Sequence, residues 1–285
     1  MSLELVTPDP AELKALALVG VQLDRILGAS DKFTAPAVDP PIPGSVIALA
    51  YEAAARDPYD FGYALIFSAE DHLRTMLIVM NKGPLPGYAL YTLARAAAEA
   101  LVRAAYLLEV RLAPSERLGR TLNERLDNLD EQRKAGGVDD FYADAVAFLE
   151  TKATAWGVPV LRSSPRPGGV GVVIGFGARK RSITDLFAEY LADGEFVFRF
   201  LSGHAHTKLW AQLPRARAEP IPDDPAVLAV GTDLDMKHFT KTLGALTGLY
   251  DKVLTNWFVL AGCPPDIWRM AKEGGRTPPE RRSFL

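Results

Sequence analysis

Arg199, Ser202, His204 and His206 stand together in the segment Arg199-Phe200-Leu201-Ser202-Gly203-His204-Ala205-His206. These residue types suit phosphate chemistry. A guanidinium binds two phosphate oxygens at once, and an imidazole moves a proton near neutral pH. The segment reads as helix, and on a helix Arg199, Ser202 and His206 lie on nearly one face, because seven residues make about two turns. His204 shares a face with Phe196 and Phe200 and points toward apolar neighbours, so helical geometry favours His206 as the proton carrier. Gly203 weakens the helix by about 1 kcal/mol, and a kink there would bring both imidazoles to one pocket. The same four residues also read as a buried polar patch without chemistry.

A second set of polar residues interrupts an alanine-rich stretch. Thr92, Arg95, Glu99, Arg103 and Tyr106 recur at spacings of three and four, which places them on one helical stripe. They form either a solvated face of ion pairs or a seam facing the interior of a bundle. As a seam, Arg95, Glu99, Arg103 and Tyr106 are candidate substrate-binding residues. His72, four residues after Ser68, joins them as a candidate from the preceding helix. Asp127, Asp130 and Glu131 carry carboxylates at helical spacing that suits a hard cation such as Mg2+. Arg125, Arg133 and Lys134 around them read instead as an ordinary charged face. Arg179-Lys180-Arg181, before a Ser182 helix cap, is a small basic cluster. The glycines at 168–177 fit neither a P-loop nor a dinucleotide fingerprint.

These groups need rigid elements to hold them. The periodicity predicts helices over 10–28, 44–56, 58–82, 86–112, 115–134, 138–156, 183–192, 195–213 and 233–262, and an all-α bundle of about six or seven long helices. Ser182 with Asp185 and Thr232 with Asp235 have capping-box spacing. Pro84-Leu85-Pro86-Gly87 separates two long helices as a hairpin would. The proline-rich stretches 34–44 and 214–225 read as extended connections, and 162–180 reads as a long Gly/Pro-rich loop or a short strand pair. The chain divides into an N-terminal helix with a proline-rich linker (1–43), a helical bundle (44–263) and a basic C-terminal tail (264–285).

Composition bounds the function. A chain of 285 residues, 48% hydrophobic and 24% charged, folds into one large or two small domains. Its net charge of −3 excludes a chain-wide basic footprint for nucleic acid but leaves room for a local patch. Cys263 stands alone, so no internal disulfide forms and no cysteine zinc cluster is available, which fits a reducing cytoplasm. The apolar helices carry too many charges to face lipid.

Arg199 followed by His204 or His206 resembles the R-x4–6-H motif of the HEPN superfamily of α-helical domains. With Leu93-Ala94-Arg95-Ala96-Ala97-Ala98-Glu99 and Tyr106-Leu107-Leu108-Glu109, it is also similar to uncharacterised bacterial helical proteins of the DUF5677 type. The resemblance spans about residues 58–262. It implies a metal-independent endoribonuclease of a defence or toxin system, acting on RNA as a homodimer and without a cofactor. By that resemblance Arg199 binds the scissile phosphate and His206 or His204 assists proton transfer. Phe200, directly after the arginine, departs from the polar residue common in active members. Two other readings stand beside this one. The first is a small-molecule enzyme with a pocket in the bundle core, driving Mg2+-dependent diphosphate or isoprenoid chemistry of a terpene-cyclase kind. It rests on the Asp127–Glu131 cluster and on Trp156, Trp210, Trp257, Phe196 and Phe200. The second is a non-catalytic binding protein. All the catalytic readings require Arg95, Glu99, Arg199, Ser202 and His206 to converge on one open cavity.

Overall fold

Small side chains decide which helix lies at the centre. Ala94, Ala97, Ala98, Ala100, Ala104 and Ala105 are all buried on one nineteen-residue helix, so partners approach its backbone closely on several sides. In the computed structural model this helix, α4 (Ala89–Leu107), is packed by five others: α3 (Asp57–Asn81), α5 (Pro114–Lys134), α7 (Ile183–Tyr190), α8 (Gly194–Ala205) and α9 (Met236–Leu260). The structure describes residues 9–33, 42–53, 55–82, 85–136, 138–164, 171–208, 216–221, 224–232 and 234–273. Among these the protein is all-α in class, with α1 (Pro10–Phe33), α2 (Val46–Glu52), α6 (Asp139–Ala155) and α10 (Pro265–Lys272) completing the helices.

Two apolar cores form among the described residues. The larger joins α1, α3, α4, α7, α8, α9 and α10 through residues such as Leu27, Leu73, Leu101, Phe187, Leu201, Phe258 and Trp268. The segments set apart in sequence at 1–43 and 264–285 therefore both supply core residues. Pro264 starts a last helix rather than ending the fold. Asp251 of α9 anchors that helix, accepting hydrogen bonds from Trp268 Nε1 (2.8 Å) and Lys272 Nζ (2.6 Å).

The smaller core lies between α5, α6 and a three-stranded antiparallel sheet of β1 (Val160–Arg162), β2 (Val173–Phe176) and β3 (Ala178–Arg179). Of the alternatives open for 162–180, the strand reading holds for part of it: β2 and β3 fall within that stretch. Asn123, 3% exposed, ties it to α5: Oδ1 accepts from Phe176 N (2.8 Å), and Nδ2 donates to the carbonyls of Phe176 (3.1 Å) and Ala178 (3.2 Å). The connection expected at 214–225 is a second antiparallel pair, β4 (Ala216–Ile221) and β5 (Asp224–Thr232), in register Ala216↔Thr232 with an irregularity at Pro220/Ile221. Proline is tolerated at such an edge because it has no N–H to pair.

Local signals match several helix ends. Ser182 and Asp185 make both bonds of the predicted capping box. Thr232 is not the cap of α9: it ends β5, and Asp235 caps the helix itself. The predicted helix 195–213 is shorter, ending at Ala205 with His206 as its C-cap and Thr207 in the left-handed region at φ 49°. Pro84 and the tail beyond residue 273 lie outside the described residues, as do Trp210 and the 34–41 linker.

Candidate active site on the α8–α9 face

The Arg–Ser–His segment is split by the helix that carries it. Val197, Phe200, Leu201, Gly203 and His204 face the core. His204 is 4% exposed, its ring stacked on that of Tyr91 (centroids 4.0 Å, interplanar 13°) and edge-on to Phe200 (4.7 Å). It is a packing residue, and Gly203 lies buried in regular helix rather than at a kink. Arg199 is on the outer face, 67% exposed, and reaches back one turn to Glu195 (2.8 Å). Ser202 is half-buried, and exposed His206 lies at the other end, its N–H bonded to Ser202 O (2.9 Å). Arg199 bends toward the start of α8 and His206 stands about 10 Å further along the axis, so the two do not grip one phosphate within a single chain. The convergence of Arg95, Glu99, Arg199, Ser202 and His206 on one cavity is absent among the described residues.

From Arg95 to Tyr106 the stripe on α4 is an interior seam that meets neighbouring helices, Thr92 being exposed; of these residues Tyr106 lines a cavity, one of about 400 Å3 shared with Glu116, Arg120 and Arg181. Arg95 lies over the rings of Phe198 (4.3 Å) and Phe187 (5.2 Å) and pairs with Glu99 (2.5 Å). Burial pulls its pKa below the usual arginine value, with Glu99 opposing. Arg103 bonds buried Glu124 and lies 3.5 Å from Asp127. Burial works against its charge, yet these carboxylates prevail and hold its pKa above the ordinary one. Tyr106 is buried under the guanidinium of Arg120 (4.5 Å), and desolvation raises its pKa. Within the seam the charges pair, Arg95 with Glu99 and Arg103 with Glu124, while one Arg95 guanidinium nitrogen stays buried without a hydrogen-bond partner among the described residues. His72, on α3, is half-buried and does not line the α8–α9 cleft.

The acidic cluster already holds a cation. Lys180 Nζ lies 3.0 Å from Asp127 Oδ1 and 2.5 Å from Asp130 Oδ2, and Tyr142 OH donates to Asp130 (2.8 Å). Burial would raise the Asp130 pKa, but Lys180 and Tyr142 outweigh it and keep it below the usual carboxylate value. Glu131 turns away to Lys134 (2.6 Å). No group of three or more His, Cys, Asp or Glu among the described residues is arranged to hold a metal. The Mg2+ reading of Asp127, Asp130 and Glu131 is corrected accordingly: an ammonium from the basic cluster occupies the space between the two aspartates.

A different histidine stands where chemistry is accessible. An open cleft of about 790 Å3 lies between the starts of α8 and α9, lined by Asp193, Glu195, Phe196, Lys237, His238 and Lys241 among others. The start of α9 supplies its centre. Asp235 Oδ1 caps the helix by accepting from His238 N (3.0 Å), and its Oδ2 lies 2.5 Å from His238 Nδ1. The carboxylate orients the ring and favours the tautomer with Nε2 as the basic nitrogen. Asp235 is itself fixed, its N–H donating to Tyr91 OH (2.9 Å), and Tyr91 is the ring stacked on His204. The buried histidine thus braces, through one tyrosine, the dyad that faces the cleft. Lys241 pairs with Asp193 (2.6 Å), while Lys237 makes no ion pair among the described residues. Arg199 does not line the cleft; it pairs with Glu195, which does.

In the sequence Asp235 reads only as a helix-cap residue, and nothing marks His238, because a D-x-x-H spacing at a helix start is indistinguishable from capping. Only the packing of α9 beside α8 makes His238 a cleft residue. No protein-family model matches the chain, and neither a curated protein nor a solved structure matches it. No helix among the described residues is long and apolar enough to cross a membrane.

Proposed function

We propose that this is a HEPN-like helical protein that acts on RNA phosphodiesters at the α8–α9 cleft, with His238 rather than His204 or His206 moving the proton. One observation carries the reading: an Asp–His dyad on an open cleft lined by Lys237 and Lys241, with Arg199 paired to the cleft residue Glu195. In this reading His238 Nε2 takes the proton of a ribose 2′-hydroxyl as that oxygen bonds to phosphorus. The P–O5′ bond then breaks to leave a 2′,3′-cyclic phosphate, the leaving oxygen takes a proton from water, and the hydroxide so formed takes the proton held by His238. Lys237, Lys241 and Arg199 meet the charge that develops on the phosphate. The exposed pairs Lys241–Asp193 and Arg199–Glu195 are no obstacle. Exposed pairs are worth about 0–1 kcal/mol, less than a charge-assisted bond to phosphate. The chain acts as a homodimer in this proposal.

The test is cleavage of a labelled single-stranded RNA in EDTA, with light scattering for the assembly state. His238→Ala is expected to lower the rate about 10²–10⁴-fold. Asp235→Asn, which keeps a good helix cap, is expected to lower it as well, and Arg199→Ala to weaken substrate binding. His206→Ala is expected to match the parent. Full activity in His238→Ala refutes the reading. Binding without cleavage, abolished by Lys237→Ala with Lys241→Ala, would establish the non-catalytic alternative at the same cleft.

A further inference from the structure

Phe196 is 50% exposed on the first turn of α8 and forms part of the cleft wall. A single exposed apolar side chain is ordinary. This one differs in how it is held. Its ring lies nearly parallel to Phe200 (centroids 5.7 Å, interplanar 19°) and 5.9 Å from the His238 ring, so aromatic neighbours hold it while the residue stays 50% exposed. Phe200 in turn is buried and set edge-on against Tyr91 (5.3 Å, 88°), which extends the stack to α4. An aromatic ring is therefore held in a cleft that also carries Asp193, Glu195, Lys237, His238 and Lys241. Lys237 and Lys241 stand one helical turn apart on α9, about 6 Å, which suits two neighbouring phosphates of an extended strand.

We infer that Phe196 is a stacking platform for one unpaired nucleobase, and that it makes the cleft selective for single-stranded over duplex RNA. The inference rests on the RNA reading above and adds to it a specificity-determining residue. Every base presents a flat π-face, so a rigid aromatic ring binds unpaired bases with little regard to sequence. In a duplex those faces are covered by neighbouring pairs, and the deep major groove of A-form RNA admits no side chain. The lysines then hold backbone phosphates on either side of the stacked base, beside the His238 imidazole.

The experiment compares fluorescence anisotropy of the full chain with three probes at one salt concentration. These are an eight-nucleotide oligouridine, an abasic ribose-phosphate oligomer of equal length, and a hairpin duplex. The oligouridine is expected to bind about 5- to 50-fold more tightly than the abasic oligomer, and more tightly than the duplex. Phe196→Leu is expected to bring the ratio to abasic within twofold, Phe196→Trp to preserve it, and neither to alter the mass measured by light scattering. Equal binding of oligouridine and abasic oligomer by the parent, or a ratio untouched by Phe196→Leu, overturns the stacking role and leaves the phosphate reading standing. A change of mass in Phe196→Leu would make Phe196 a subunit contact and overturn it too. Failure of all three probes to bind refutes the RNA reading, and the stacking role falls with it.

Discussion

Replacing Asn123 with leucine tests how the small sheet is held to the helices. Leucine keeps the branched outline of asparagine but not its polar atoms, so the hydrogen bonds between α5 and the sheet are lost while its greater bulk has to be taken up by the surrounding packing. Three are lost, one from Phe176 N–H and two to the carbonyls of Phe176 and Ala178. At about 1 kcal/mol net each they sum to about 3 kcal/mol, with the Phe176 groups left buried and unpaired. The added apolar burial returns up to about 1 kcal/mol. A loss of about 2–3 kcal/mol is expected, roughly a 30- to 150-fold shift of the unfolding equilibrium and about 5 °C in Tm. Urea unfolding followed by circular dichroism measures the total, and amide exchange locates it. Exchange should accelerate most at 173–179, because the core of Leu118, Leu122, Leu149, Val173 and Phe176 is closed by this sheet. A loss under about 0.5 kcal/mol, with these amides still protected, would refute the pinning role.

Three further outcomes follow from the same geometry. The Asp130 pKa is held below its unfolded value, so its contribution is present above about pH 4 and disappears as pH falls toward the folded value. Asp130→Asn should flatten the acid limb of a urea-midpoint profile between about pH 2 and 5, and a parallel, unflattened profile would contradict the Lys180–Tyr142 cradle. Millimolar Mg2+ should leave the Tm of the parent unchanged, because Lys180 already neutralises Asp127 and Asp130. A magnesium-dependent rise in Tm that Asp127→Ala abolishes would restore the metal reading. Gly194→Ala should disturb the α7–α8 corner, since a Cβ there meets the Phe187 carbonyl oxygen at 1.7 Å. The expected cost is about 1–3 kcal/mol, with weakened RNA binding at the adjoining cleft, and unaltered stability and binding would show that the corner yields freely.

The helices were largely legible because their signals are local. Apolar residues at spacings of three and four mark the buried faces of α3, α4 and α9, and Ser182 with Asp185 sets the start of α7. The amphipathic split of α8 was legible for the same reason: Phe200 and His204 face in, Arg199 and His206 face out. The β4–β5 pair was hidden by proline-rich composition that also describes loops, and α10 by its position before a basic stretch.

Sequence by itself determined which residues become helices and which side of each is apolar, since those follow from periods within a few turns of chain. Tertiary structure alone decided what the polar residues meet. Lys180 reaches Asp127 and Asp130 from fifty residues away, Phe198 covers Arg95, and His238 joins a cleft because α9 starts beside α8. Those partners are chosen by how buried helix faces pack together, and the helical period of one segment carries no record of the segment it will touch.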